Sequence, residues 1–277
     1  MLGDADGHVG DWYTDRSASH LIVALHGADT LVGGSTIIPA SYNGIVGFKP
    51  TYNAISFEGC KTACLSCDTV GLFSRSVEDM RLLSRVFRLE DDEPVPAEDF
   101  KLFGAKLGIC RGPNWSAAGE GTKAAMSTAR RLLEAAGAII EDVELPPAFG
   151  ELAQSYPKTF KGEGRVSFLP EYCINKSILA PNLCEHIERP ITELSRKEQL
   201  QAIDQVAALR PQFDAIASSY SAIITPSAID EAGVGLEYPG NSVFSVSSVH
   251  EQRNNVLTNS DYMWSILHTP AINVPGD

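Results

Sequence analysis

Gly33-Gly34-Ser35, within Asp29-Thr30-Leu31-Val32-Gly33-Gly34-Ser35-Thr36-Ile37-Ile38-Pro39-Ala40, is the stretch whose residue types suit covalent chemistry. A serine hydroxyl becomes a nucleophile when a nearby base takes its proton. Glycines ahead of it leave backbone N–H groups open to a ligand, with no Cβ in the way. Adjacent N–H groups on such a loop can hold a developing oxyanion. Most Gly-Gly-Ser tripeptides are ordinary turns, so the tripeptide alone does not separate a nucleophile from a turn.

Two further constellations could carry chemistry. His26, Asp29 and Ser35 lie close together and have the residue types of a Ser–His–Asp triad. The competing reading is that His26 sits in a strand-end turn and Asp29 bonds to its own loop. His8 and His20 fall in an unpatterned start and are weaker candidates. Cys60, Cys64 and Cys67 have C-x3-C-x2-C spacing, that of the iron–sulfur site in radical S-adenosylmethionine enzymes, and thiolates so spaced can hold three irons of a cubane. The alternative is small buried side chains. No histidine lies nearby to complete a zinc site. No cofactor and no metal are therefore expected.

The chain has 277 residues, enough for one large domain or two small ones, and 44% apolar content gives it material for a packed core. With 22 basic and 35 acidic residues the net charge is −13, which disfavours nucleic acid and anionic membrane as partners. No run approaches the roughly 18 apolar residues of a membrane span. The first residues are acidic and polar, unlike a signal peptide, so a cytoplasmic location and reduced thiols are expected for the six cysteines.

The elements that would position these groups follow from the apolar pattern. Residues 1–20 read as an irregular segment and 21–277 as a single partial domain. Leu21–Leu25 and Ile45–Phe48 are short apolar runs that suit buried strands, the second stopped by Pro50. Tyr52–Thr69 is irregular. Ser76 is an N-cap with Asp79 three residues on, ahead of Val77, Met80, Leu83, Val86 and Phe87 at helical spacing. Glu90–Pro94 reads as a solvated linker. Strand Leu107–Cys110, helix Thr122–Ala136 ended by Gly137, and strand Ala138–Leu145 make a β-α-β unit. The helix is expected to bury Met126, Ala129, Leu132 and Leu133. Glu151–Pro190 is mixed and proline-punctuated. Glu198–Tyr220 reads as a long helix kinked at Pro211, Ala222–Pro226 as a strand, Ile229–Val249 as loop, and Tyr262–His268 as a helix.

The longer string resembles the amidase signature family. Its nucleophile loop, Asp-Thr-Gly-Gly-Ser, is matched by Asp29-Thr30 and Gly33-Gly34-Ser35. Pro39-Ala40 follows, then Gly44-Ile45-Val46-Gly47-Phe48-Lys49-Pro50-Thr51, then Asp68-Thr69-Val70-Gly71 and Arg75-Ser76-Val77-Glu78-Asp79. The likeness extends through Leu107–Leu145, Tyr220–Pro226 and Leu267–Gly276. It implies an α/β fold with a mixed β-sheet core layered between helices, and hydrolysis of carbon–nitrogen bonds in a small amide by a Ser–Ser–Lys triad. Ser35 would be the nucleophile, and the N–H groups near Val32, Gly33 and Gly34 the oxyanion hole.

The same resemblance marks departures. The family's bridging serine lies some two dozen residues earlier, in Gly-Gly-Ser-Ser-Gly-Gly; that string does not occur here, and the position falls near Asp11-Trp12. The family's lysine base lies further upstream, whereas the first lysine here is Lys49. Leu31-Val32 read as an insertion in the loop. Ile37 and Ile38 stand where an arginine often follows the serine. The sequence therefore reads either as an amidase-type hydrolase or, from a different class, as an inactive remnant or truncated gene model that at most binds a ligand. A partner protein, as in the family's transfer-RNA amidotransferase branch, is left open.

Overall fold

The computed structural model describes residues 21–24, 34–89, 100–188, 194–231 and 261–275. The irregular start, His8, His20, His26, Asp29, the linker at 90–94 and nearly all of the 229–249 loop lie outside these residues.

Short apolar runs become strands where a flanking residue stops them. Strand β1 is Leu21–Ala24. Helix α1, Ile37–Asn43, ends at Gly44, whose φ of +61° a residue with a Cβ rarely adopts; its N–H bonds back to Ala40 and Ser41. That reversal feeds strand β2, Val46–Lys49, which Pro50 terminates. Irregular turns from Tyr52 to Val70 lead into strand β3, Gly71–Ser74. Helix α2, Val77–Val86, starts at Ser76, whose hydroxyl accepts from the Asp79 N–H. These strands and a late strand β7, Ala271–Asn273, form an antiparallel sheet in the order β1-β3-β2-β7. Its register pairs Phe48 with Leu72, and Gly47 with Phe73 on one side and Asn273 on the other. Alternation puts Val46 and Leu72 on one face, where they pack with Met80 and Leu83 of α2.

The expected β-α-β unit is present. Strand β4 (Lys106–Ile109), helix α3 (Glu120–Ala135), strand β5 (Ile139–Asp142) and a later strand β6 (Ala222–Ile224) build a parallel sheet ordered β5-β4-β6. Gly137, at φ +88°, ends the helix as expected. One face residue is corrected: Leu132 is 54% exposed, whereas Met126, Ala129 and Leu133 are half-buried. The three share the i, i+3, i+7 rows, and Leu132 lies off them. Both strand directions thus occur, divided between two sheets.

The proline-punctuated stretch is helical. Helices α4 (Leu152–Ser167), α5 (Leu169–Asn175) and α6 (Pro181–Glu188) follow one another there. Pro170 and Pro181 stand in first turns, where no intrahelical donor is needed, while Pro157 lies within α4. Helix α7 (Arg196–Ala217) begins with a Ser195–Glu198 capping box and runs through Pro211; helix α8 is Asp261–Ile266. Helices α4 and α7 pack closely because Gly162 has no Cβ to overlap Gln199. The main core joins Phe149, Leu152, Tyr156, Phe160, Val206 and Phe213 to Tyr262, Met263 and Ile266. Among the described residues no helix is long and apolar enough to cross a membrane.

Candidate active site

Ser35 occupies the turn that leads into α1, between buried Gly34 and buried Thr36, and is itself half-buried. Gly34 has φ +112°, a backbone state that favours glycine, and its carbonyl accepts the Ile38 N–H at 2.7 Å. The second glycine of the pair is thus required by geometry. Val32 and Gly33, the other two expected oxyanion donors, lie outside the described residues, as do His26 and Asp29 of the substitute triad. Ile37, at an arginine position of the family loop, is buried, and Ile38 is half-buried.

The glycines of the following motifs explain how this turn is held. A Cβ on Gly71 of β3 would overlap the Thr36 hydroxyl. A Cβ on Gly47 of β2 would lie 2.5 Å from the Ala40 Cβ and 2.9 Å from the Thr36 carbonyl oxygen. Both glycines face the same side of the antiparallel sheet, so α1 and the Ser35 turn lie flush against bare backbone. The opposite side carries Val46, Leu72 and α2. Asp68, three residues before Gly71, accepts the N–H groups of Ala63 and Cys64 at 2.6 and 3.0 Å through Oδ2 and thereby fixes the approach to β3. Its Oδ1 is buried without a hydrogen-bond partner. Burial, only partly offset by those two bonds, raises the Asp68 carboxyl to about 6.

Lys49, which the sequence marked as part of the amidase-like motif and as the first lysine but gave no role, is buried on the Gly47 face of β2. Its Nζ donates to the carbonyls of Pro50, at 3.2 Å, and of Thr269. Burial lowers it to about 7, against a smaller opposing effect of Cys67. A neutral amine has two N–H donors. Both are accounted for by these carbonyls, which makes Lys49 a strut between the end of β2 and the approach to β7. The visible signal was a charged residue closing an otherwise apolar strand. His268 is the second missed group. It stacks on Tyr52 with ring centroids 3.9 Å apart, and its Nε2 lies 2.8 Å from the Ser66 carbonyl. Burial, helped by the charges of Arg210 and Lys49, lowers it to about 4.

The cysteine motif resolves unevenly. Cys64 and Cys67 are buried, while Cys60 is half-buried. Among the described residues no group of three or more His, Cys, Asp or Glu is arranged to hold a metal ion.

The family model described as Amidase matches residues 18–276. The chain belongs to the amidase family. Its similarity to individual relatives is partial. A glutamyl-tRNA(Gln) amidotransferase subunit from Carboxydothermus hydrogenoformans is 36% identical over 141 residues, covering 47% of this chain and 28% of that protein. A solved structure described as an amidase superposes with a TM-score of 0.71 at 23% identity, over 93% of this chain and 55% of that one. The corresponding glutamyl-tRNA(Gln) amidotransferase subunit from Thermotoga maritima superposes at 0.62 with 20% identity, over 89% of this chain and 54% of that one. These superpositions show the amidase fold. The chain spans just over half the length of each of these two solved chains.

Proposed function

We propose that this amidase-family chain acts on amide carbon–nitrogen bonds through Ser35, with the backbone N–H groups of Val32, Gly33 and Gly34 receiving the oxyanion. The observation that supports the reading is the seating of Thr36, the residue after Ser35, against Gly47 and Gly71, which gives these two signature glycines a steric reason next to the serine. A nucleophile must be held in place, because misplacement by about 1 Å can cost a hundredfold in rate. In the forward step the Ser35 hydroxyl adds to the carbonyl carbon, its proton passes to a base, and the amine leaves with a proton as the acyl-serine forms. Residues 1–34 contain neither a lysine nor the Gly-Gly-Ser-Ser-Gly-Gly string. The substrate is a small amide. Relatives that are amidotransferase subunits support a partner protein for this chain as well.

Release of arylamine from a simple aryl amide tests the reading. The chain is expected to exceed Ser35→Ala in rate, with both variants folded to the same extent. Equal rates would make the chain a non-catalytic member of the family.

A further inference from the structure

Cys64 and Cys67 end a four-residue turn, Cys64-Leu65-Ser66-Cys67, closed by the Cys67 N–H on the Cys64 carbonyl at 3.0 Å. The Asp68 N–H bonds the same carbonyl at 2.8 Å. A turn of this kind holds its first and last Cα atoms within about 7 Å, and a disulfide needs roughly 4.4–6.8 Å. The Cys64 thiol donates to Glu163 Oε2 at 3.2 Å, an oxygen that also accepts the Ser66 N–H at 2.9 Å. Cys67 is followed by Asp68, whose Oδ2 accepts the Cys64 N–H at 3.0 Å and closes the turn a second time. Cys64 and Cys67 are themselves buried, while Leu65 between them is 68% exposed.

We propose that Cys64 and Cys67 are an oxidation site, converted by hydrogen peroxide to a reversible disulfide within one turn. Cys67 is the first sulfur oxidised, since the Cys64 thiol is held as a donor to Glu163. It takes one peroxide oxygen, the O–O bond breaks, water leaves, and a sulfenic acid remains. The Cys64 thiol then passes its proton to Glu163 and attacks the Cys67 sulfur. The S–S bond forms, the S–O bond breaks, and the departing hydroxide takes the proton from Glu163 as a second water. Two electrons move from the two sulfurs to the peroxide. The hydrogen bond to Glu163 gives the Cys64 thiol a base to take its proton as it attacks. A dithiol reagent restores the pair by thiol–disulfide exchange.

The test uses the full chain and hydrogen peroxide. Trypsin releases Thr62–Arg75, which contains Cys64 and Cys67 and no other cysteine. After peroxide, denaturation and alkylation, this peptide is expected two hydrogens lighter and without alkyl groups, and doubly alkylated when dithiothreitol precedes alkylation. Glu163→Gln is expected to slow closure by roughly ten- to a hundredfold, so that dimedone traps the sulfenic acid on the same peptide. A Thr62–Arg75 peptide still doubly alkylated after exposed Cys173 has been oxidised overturns the proposal, as does a bridge from either thiol to Cys60 or Cys110. The readout is a peptide mass and does not depend on amide hydrolysis.

Discussion

The antiparallel sheet and the parallel sheet solve the same packing problem with different residues. Under α1 the antiparallel sheet gives up its side chains: Gly47 and Gly71 leave bare backbone against which Ala40 and Thr36 rest, with a backbone carbonyl among the close atoms. Under α3 the parallel sheet keeps side chains, none of the residues of α3 is fully buried, and ion pairs tie its rim. Contact with backbone fixes position because nothing can rotate away. Contact through side chains and exposed charges tolerates adjustment. The sheet that carries the candidate nucleophile is therefore the one built with least freedom, as a site that must hold an atom in place requires.

Substitutions can break this contrast in graded steps. Gly47→Ala should cost most, about 3 kcal/mol in urea unfolding, since its Cβ would press on the Thr36 carbonyl and Ala40. Gly71→Ala should cost about 2 kcal/mol, and adding Thr36→Ala should recover part of the loss because the overlapping atoms are that side chain's. Gly108→Ala in β4 is the matched control. Its Cβ would lie 2.6 Å from a Val143 methyl, which can shift, so about 1 kcal/mol is expected. Equal losses at Gly47 and Gly108 would abolish the distinction between the sheets. At the rim, Asp142→Ala removes a carboxylate shared by Arg111 and Arg130 and should cost only about 0.5 kcal/mol, falling further in high salt.

Titration bears on the antiparallel side again, because Lys49, Asp68 and His268, each shifted by burial, lie in that sheet or on its approaches. Lys49 has a folded value of about 7 against 10.5, so the unfolded chain binds more protons between those limits and stability should rise as pH climbs from about 7 to about 10. Lys49→Met should remove that rise. Its loss at pH 9, about 1–2 kcal/mol for two carbonyls left without a donor, should shrink below pH 7, where the parent bears a buried ammonium. Asp68 has a folded value raised to about 6 from 3.8, so its contribution is present at low pH and is lost as pH rises through 6. His268, lowered to about 4 from 6.5, runs the other way over nearly the same window. Asp68→Asn keeps an oxygen for the Ala63 and Cys64 N–H groups and replaces only the unpartnered Oδ1. It should therefore change stability by no more than about 1 kcal/mol near pH 7 while leaving the His268 rise unopposed between about pH 4 and 6.

What the sequence made legible follows from how local each feature is. The Ser76 cap, the Gly137 helix end and the β-α-β unit depend on neighbouring residues and were readable. Helices α4 to α6 were hidden because Pro157, Pro170 and Pro181 resemble breaks until their positions in the first turn or within a packed helix are known. The roles of Gly47, Gly71 and Gly162 depend on what lies across a contact, which a glycine in a string does not disclose. The same holds for Lys49, whose acceptor on Thr269 is 220 residues away in sequence. The amidase motifs located Ser35 without showing that Thr36, its neighbour, is the residue the glycines accommodate.

Covalent labelling by a fluorophosphonate, with the adduct mapped by mass spectrometry, bears most directly on Ser35 as the nucleophile. The adduct is expected on Ser35 alone, absent from Ser35→Ala and strongly reduced in Gly47→Ala. An adduct on another serine, or none on a chain that unfolds cooperatively, would contradict the assignment.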